Sequence, residues 1–181
     1  MKKLAIPFIL GAFALLVSAC DKVEDLADID FNTTISKTMS VAVVSTDEMS
    51  SSVLLDATSD AEIDKYKSKI KNYEITELTF AIENYSSPLA DDNYFDGVVG
   101  FGKMTSAAPD KTCAVDPLNV KHVSGTGSFP LGTCDAIADE VANLLKQENA
   151  VKVYLNGTFT KEPCTFDLVV TAKVKVTANP L

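Results

Sequence analysis

The sequence contains no arginine and no tryptophan, and it has a single histidine, His122. All 16 basic residues are lysines, and 25 acidic residues bring the formal net charge to −9. Nucleic-acid binding needs a basic surface that displaces counterions, and bidentate phosphate recognition depends on the guanidinium fork of arginine. Nucleic acid is therefore not an expected partner. The absence of tryptophan also weakens the case for a protein that stacks sugars on broad aromatic surfaces.

Residues for catalysis are equally scarce. A catalytic triad or a zinc site would have to be built around His122, with a cysteine as its partner. The cysteines beyond the N-terminal region are Cys113, Cys134 and Cys164, and their spacing is not that of a metal site. Residues 118–122 alternate as a strand, where a single histidine is usually a surface or packing residue. The sequence also lacks a nucleophile elbow and a Cys-x-x-Cys pair. We therefore expect a protein that is not an enzyme and has no cofactor.

The first 20 residues read MKKLAIPFILGAFALLVSAC. Two lysines precede an apolar run at positions 4–17, and small residues then lead to a cysteine, which is the order of a secretory signal peptide. The segment Val17-Ser18-Ala19-Cys20 resembles the lipobox of bacterial lipoproteins. An ordinary signal peptide and a transmembrane helix are the alternatives. The run is shorter than the roughly 20 residues of a membrane span, and Pro7 and Gly11 interrupt it.

The resemblance to lipoproteins implies that residues 1–19 are removed and that Cys20 carries a covalent lipid such as palmitate. Loss of the two signal lysines would take the net charge from −9 to −11. Residues 20–30 are rich in acidic side chains and predict a flexible tether. Residues 31–181 have the length of a single domain.

The same resemblance implies a location in the cell envelope, lipid-anchored in the outer membrane, with the periplasmic or surface face left open. Two sorting features conflict. Lys22 followed by Glu24 and Asp25 loosely resembles the short acidic signals that send some lipoproteins to the cell surface. Asp21, directly after the cysteine, favours retention at the inner membrane instead.

Alternation of apolar and polar residues predicts strands over most of the domain. It is clearest from Phe31 to Val43, from Tyr73 to Tyr85 and from Cys164 to Val176. In the second of these strands the apolar set shifts by one place, which predicts a β-bulge near Thr76-Glu77. Lys161-Glu162-Pro163 separates the last two strands and predicts a hairpin turn.

Two segments have helical spacing. Ser59 and Glu62 form a capping box that predicts a helix ending near Asn72. A second helix is predicted to begin at Thr133 or Asp135, and its apolar stripe consists of Ile137, Val141, Leu144 and Leu145. We therefore expect a mainly β fold, an antiparallel β-sandwich of about seven or eight strands with two short α-helices.

The loop at 86–96 contains several oxygen ligands, namely Asp91, Asp92, Asn93 and Asp96. A calcium loop needs such ligands at alternate positions and a glutamate at a fixed distance. Here an aromatic residue falls at a ligand position in either frame, and no glutamate follows where it is needed. A plain turn is the favoured interpretation, with a cation site as the weaker alternative.

Export would place the cysteines where disulfides persist. With Cys20 lipidated, three thiols remain, so one disulfide and one free cysteine are expected. The predicted path of the chain favours the pair Cys134–Cys164. The alternative is Cys113–Cys134, because both residues lie in or beside the loops that flank one strand.

The whole chain resembles the small β-sandwich lipoproteins of bacterial envelopes that have no assigned activity. The sequence as a whole predicts a lipid-anchored envelope protein with a non-enzymatic binding, structural or assembly role. The loops 86–96 and 105–116 and the exposed strand edges are the expected working parts. Besides the membrane, the expected partners are another envelope protein or a surface glycan. The alternative is a module that captures a carbohydrate or a divalent cation, calcium above all, at 86–96.

Overall fold

The computed structural model describes residues 27–45, 47–130 and 135–180, with side chains for all of these except Phe129, Asp135 and Ala136. The strands in this part of the chain are β1 (Ile29–Val43), β2 (Met49–Asp56), β3 (Ile70–Ser86), β4 (Tyr94–Gly102), β5 (Lys111–Asn119), β6 (Phe129–Pro130), β7 (Ala150–Phe159) and β8 (Cys164–Ala178). The α-helices are α1 (Ala61–Tyr66), α2 (Val120–Val123) and α3 (Asp135–Glu148). The predicted signal peptide, the lipobox and most of the acidic tether lie outside the described residues.

The strands form two antiparallel sheets of four strands each. The first sheet has the order β1-β8-β3-β6 and the second the order β2-β7-β4-β5. Most connections therefore cross from one sheet to the other, which is the jelly-roll arrangement of an eight-stranded sandwich. The prediction of a mainly β antiparallel sandwich is confirmed, although the described residues contain three helices where two were expected.

The core lies between the sheets, and the alternation of the sequence is what builds it. In β8, at the centre of the first sheet, every second side chain from Cys164 to Ala178 is buried. The buried residues Val151, Val153 and Leu155 of β7 occupy the same place in the second sheet. Each fully buried Val or Leu side chain stabilises the fold by about 1.5–3 kcal/mol.

The predicted bulge in β3 is confirmed. The register between β3 and β8 shifts between Ile75 and Glu77. The bulge inserts one extra residue, so Tyr73 before it and Phe80 after it both point into the core.

A pair of glycines makes room for an aromatic ring inside the second sheet. Gly97 of β4 lies directly opposite Gly157 of β7. A Cβ atom at either glycine would lie 2.7 Å from the ring of Phe95. The ring of Phe95 also contacts Phe159, with 5.1 Å between ring centroids. The absence of side chains at the two glycines therefore allows this aromatic cluster to form.

Helix α3 buries the predicted stripe, since Ile137, Val141, Leu144 and Leu145 are all at most 5% exposed. The prediction for the first helix is correct in existence and wrong in its bounds. The N-cap is Asp60, whose carboxylate accepts hydrogen bonds from the N–H groups of Glu62 (2.9 Å) and Ile63 (3.0 Å). Ser59 belongs to a preceding 3₁₀ turn, α1 ends at Tyr66, and β3 begins at Ile70, before the predicted end of the helix at Asn72.

Three further local predictions are wrong. Lys161-Glu162-Pro163 is not a hairpin turn, because β7 and β8 belong to different sheets. The strand predicted through His122 ends at Asn119, whose side chain caps α2 by accepting a hydrogen bond from the His122 N–H at 3.1 Å. The predicted loop 105–116 is shorter than expected, since β5 begins at Lys111.

The two ends of the sandwich carry different helices and loops. At the N-terminal end, the start of β1 meets the end of β8, because Ile29 pairs with Ala178. This end also contains α1 and the loop 103–110. We call the opposite end the distal end, and its described residues are 44, 45, 47, 48, 87–93 and 160–163 together with α2.

Candidate binding surface at the distal end

A buried asparagine holds the distal end together. The Asn93 side chain is 0% exposed. Its Oδ1 accepts hydrogen bonds from the backbone N–H of Lys161 at 3.0 Å and from the Thr160 hydroxyl at 3.3 Å. Its Nδ2 donates to the Lys161 carbonyl at 3.1 Å, the Tyr85 hydroxyl at 3.3 Å and the Cys164 sulfur at 3.2 Å. The loop 87–93 is thereby fixed to the corner between β7 and β8.

The structure does not bring the predicted calcium ligands together. Asn93 points inward and its amide oxygen is already occupied, whereas Asp91, Asp92 and Asp96 are exposed. Asp91 forms an ion pair with Lys161 at 3.3 Å. Within the described residues, no group of three or more His, Cys, Asp or Glu side chains is placed to hold a metal ion.

Exposed apolar side chains concentrate at this end. Among the described residues, the large hydrophobic side chains that stand in solvent are Val44 (84% exposed), Leu89 (41%), Tyr94 (40%) and Met104 (44%). The first three lie at the distal end, and Met104 lies at the N-terminal end. Three of these four side chains therefore lie at the distal end, which makes this end the candidate binding surface of the domain.

These three side chains flank one corner, the segment 160–164. Val44 follows the residue of β1 that pairs with Cys164. Leu89 is connected through Ser87, whose hydroxyl donates to the Pro163 carbonyl at 2.9 Å. Tyr94 exchanges hydrogen bonds with Thr160, at 2.9 Å and 3.0 Å. We call Val44, Leu89, Tyr94 and the corner 160–164 the distal surface.

The charge of the domain is also divided between its ends. The distal half contains nine acidic residues and two lysines, Lys121 and Lys161. The acidic residues are Asp47, Glu48, Glu83, Asp91, Asp92, Asp96, Asp116, Glu162 and Asp167. The remaining described side chains include twelve acidic residues and eleven lysines, with Lys37 of the central part of β1 among them, so their charges nearly cancel. The acidic excess of the described domain therefore lies on the side of the distal surface.

The second predicted loop is not free to reach a partner. Residues 103–110 fold back over the outer face of the second sheet, where the Ser106 carbonyl accepts hydrogen bonds from the Tyr154 hydroxyl (2.6 Å) and Lys152 Nζ (3.2 Å). The Met104 N–H donates to Glu148 at 2.7 Å. Pro109 packs on Gly100, where an added Cβ would lie 2.5 Å from the proline ring.

The cysteine prediction requires correction. Cys164 is a free thiol that is buried at the start of β8, so the predicted disulfide Cys134–Cys164 is wrong. Its side chain occupies an inward position of the strand, where burial raises the pKa of the thiol and the hydrogen bond from Asn93 opposes that rise. Cys113 is disulfide-bonded. Cys134 lies outside the described residues, so the alternative pair Cys113–Cys134 stays a prediction.

Sequence reasoning found only part of the distal surface. Leu89 and Tyr94 lie in the loop 86–96 that was predicted to be functional, whereas Val44 was missed. Val44 could have been noticed, because it follows Val43 and so places an apolar residue at an outward position of an alternating strand. His122 is exposed on α2, and among the described residues it belongs to no group of His, Cys, Asp and Glu side chains that could hold a metal ion.

No protein-family model matches the chain, and no curated protein matches it. Solved structures that match include Desmodium yellow mottle tymovirus, at 12% identity over 84% of this chain and 84% of that chain, with a TM-score of 0.33. Turnip yellow mosaic virus matches at 10% identity over 84% and 96%, with a TM-score of 0.34. The decameric BFDV capsid protein matches at 9% identity over 82% and 99%, with a TM-score of 0.37. Similarity this low does not indicate a shared function.

No helix among the described residues is long and apolar enough to cross a membrane.

Proposed function

We propose that this is a lipid-anchored protein of the bacterial cell envelope that acts without catalysis, by binding another envelope component through its distal surface. The lipid is attached at Cys20, and residues 20–30 form the tether. The observation that supports the proposal is the difference between the two ends of the domain. The predicted anchor enters at one end, and the exposed apolar side chains lie at the other.

The length of β1 separates the two ends. Its 15 residues span roughly 50 Å in an extended strand. A domain held by the start of β1 would therefore present Val44 and its neighbours far from the bilayer. The partner's contact surface would be apolar at its centre and basic at its rim, since the distal half has nine acidic residues and two lysines.

The alternative function is capture of a carbohydrate or a divalent cation at 86–96. One of its four predicted ligands, Asn93, is occupied by backbone groups of the corner 160–164. Calcium-dependent thermal stabilisation would favour this alternative, and a melting temperature that does not respond to chelator would count against it.

Protease treatment of intact cells, with Cys20→Ala as the control variant, tests the anchor. We expect the wild-type chain to be retained by the membrane and the Cys20→Ala chain to lose that retention. Removal of the domain from whole cells would place it on the surface, and protection until the envelope is opened would place it in the periplasm. Equal retention of both chains would contradict the lipid anchor.

A further inference from the structure

The longest free edge of the sandwich belongs to β1. In the described part of the chain, β1 pairs along all 15 of its residues with β8 and forms the outer strand of its sheet. Among the residues that the structure describes, no second strand pairs with the backbone N–H and C=O groups on its other side. Such an edge is a template on which a second chain can add a strand.

One residue of β1 breaks the pattern of its face. Alternate residues from Phe31 to Val43 point toward the second sheet, and Ile35, Met39 and Val41 among them are buried. Lys37 occupies the same face, between Ile35 and Met39, yet it is exposed. Its side chain therefore reaches solvent around the free edge of β1.

A strand added to β1 would block the route by which the Lys37 side chain reaches solvent. The ammonium group of Lys37 would then be covered between the two sheets, and burying an unpaired charge is strongly unfavourable. None of the ion pairs described for the chain includes Lys37.

The position of Lys37 along β1 makes it most effective against a second copy of the same chain. In a symmetric antiparallel pair that joins the whole edge, Ile29 would face Val43 of the other copy, and Lys37 would face Ile35. The two lysines would then be diagonal neighbours on the inner face, at about 7–8 Å. Shifting the register by two residues would place them directly opposite each other, at about 5 Å.

We propose that Lys37 prevents two copies of this protein from joining through their β1 edges. Because any strand added along the central part of β1 would bury the charge of Lys37, β1 of the wild type stays paired with β8 alone. Two other edges are limited differently: Pro117 interrupts β5 with a residue that has no N–H, and β6 occupies the edge of β3 at Thr79 and Phe80.

The test compares the oligomeric state of the full chain and of Lys37→Ile in detergent micelles, by light scattering with the detergent mass subtracted. We expect a monomer for the wild type and a concentration-dependent dimer for Lys37→Ile, with a dissociation constant lowered at least about tenfold. Hydrogen exchange should show new protection of β1 amides in the dimer. The matched control is Thr38→Ile, which adds the same side chain at the next, outward position and should stay monomeric.

Three outcomes would overturn the proposal. A monomeric Lys37→Ile chain with an intact fold would show that the lysine does not control the edge. Equal association of Thr38→Ile would show that added apolar surface, and not the loss of the inner charge, causes pairing. A wild-type dimer with protected β1 amides would show that the edge is already used. If Lys37→Ile does not fold, Lys37→Gln supplies the neutral variant, and it too must dimerise more strongly than the wild type.

Discussion

At the residue scale, Asn93 has the most demanding role in the domain. It is fully buried, and its amide satisfies both the N–H and the carbonyl of Lys161. A buried polar group that loses its partner costs about 1–3 kcal/mol. The composition of the loop suggested a cation ligand, because a sequence shows that an oxygen is present and does not show which backbone groups will occupy it.

We expect Asn93→Ala to lower the free energy of unfolding by about 2–3 kcal/mol, because it leaves the Lys161 backbone groups without partners. Asn93→Asp should be at least as harmful at neutral pH, since its carboxylate would face the Lys161 carbonyl. Burial would raise the pKa of that carboxyl, so its deficit relative to the wild type should shrink as the pH falls. Denaturant unfolding at several pH values measures both effects, and a pH-independent deficit for Asn93→Asp would contradict this role.

A second residue-scale prediction concerns Asp60. Hydrogen bonds from the Thr33 hydroxyl and then from the Ile63 N–H hold the pKa of this N-cap carboxyl below its usual value. Its stabilising effect is therefore complete above the unfolded pKa of about 3.9 and is lost as the pH falls through the lower folded pKa.

We expect Asp60→Ala to cost about 1 kcal/mol at neutral pH, which is typical of a lost N-cap. Asp60→Asn retains an acceptor for the helix N–H groups but has no carboxylate to protonate. Its free energy of unfolding should therefore fall less than that of the wild type when the pH is lowered. Thermal unfolding of both variants between neutral and acid pH measures this. The same acid response in the wild type and in Asp60→Asn would be evidence against it.

At the element scale, the second sheet depends on two glycines that face each other. A Cβ at Gly157 would lie 2.4 Å from the Asp96 carbonyl oxygen and 2.7 Å from the Phe95 ring. Backbone cannot move aside cheaply, so we expect Gly157→Ala to destabilise the domain by about 2–3 kcal/mol. Gly102→Ala is the matched control, because its Cβ would come no closer than 3.2 Å to any neighbour. Similar melting temperatures for the two variants would contradict the close approach.

Elements with a strong local pattern were predictable, and those that depend on distant partners were not. The alternation of β1 and β8, the bulge in β3 and the stripe of α3 all follow from side chains close in sequence. The cap of α1 was misplaced by one residue, because Ser59 and Asp60 are both good capping residues, and the hydrogen bond that Asp60 accepts from Thr33 comes from a residue distant in sequence. The turn 161–163 looks the same whether its strands pair with each other or enter different sheets.

At the scale of the whole molecule, the two ends were not foreseeable from the sequence. Val44, Leu89 and Tyr94 come from separate segments and share one end only because the jelly-roll order brings residues 44, 87–93 and 160–164 there. The division of charge has the same origin, since acidic residues from several strands and loops collect in the distal half. Composition predicted an acidic surface but could not predict that one half would hold the excess.

Site-specific photo-crosslinking in intact cells is the most direct test of the distal surface. A photoreactive residue replaces Leu89 in one chain and Met104 in another, because these two side chains are similarly exposed, at 41% and 44%, and lie at opposite ends. We expect a defined crosslinked product from position 89 and none from position 104, and we expect Val44→Ser to weaken the product. No product at position 89, or the same product at both positions, would contradict a binding role for the distal surface.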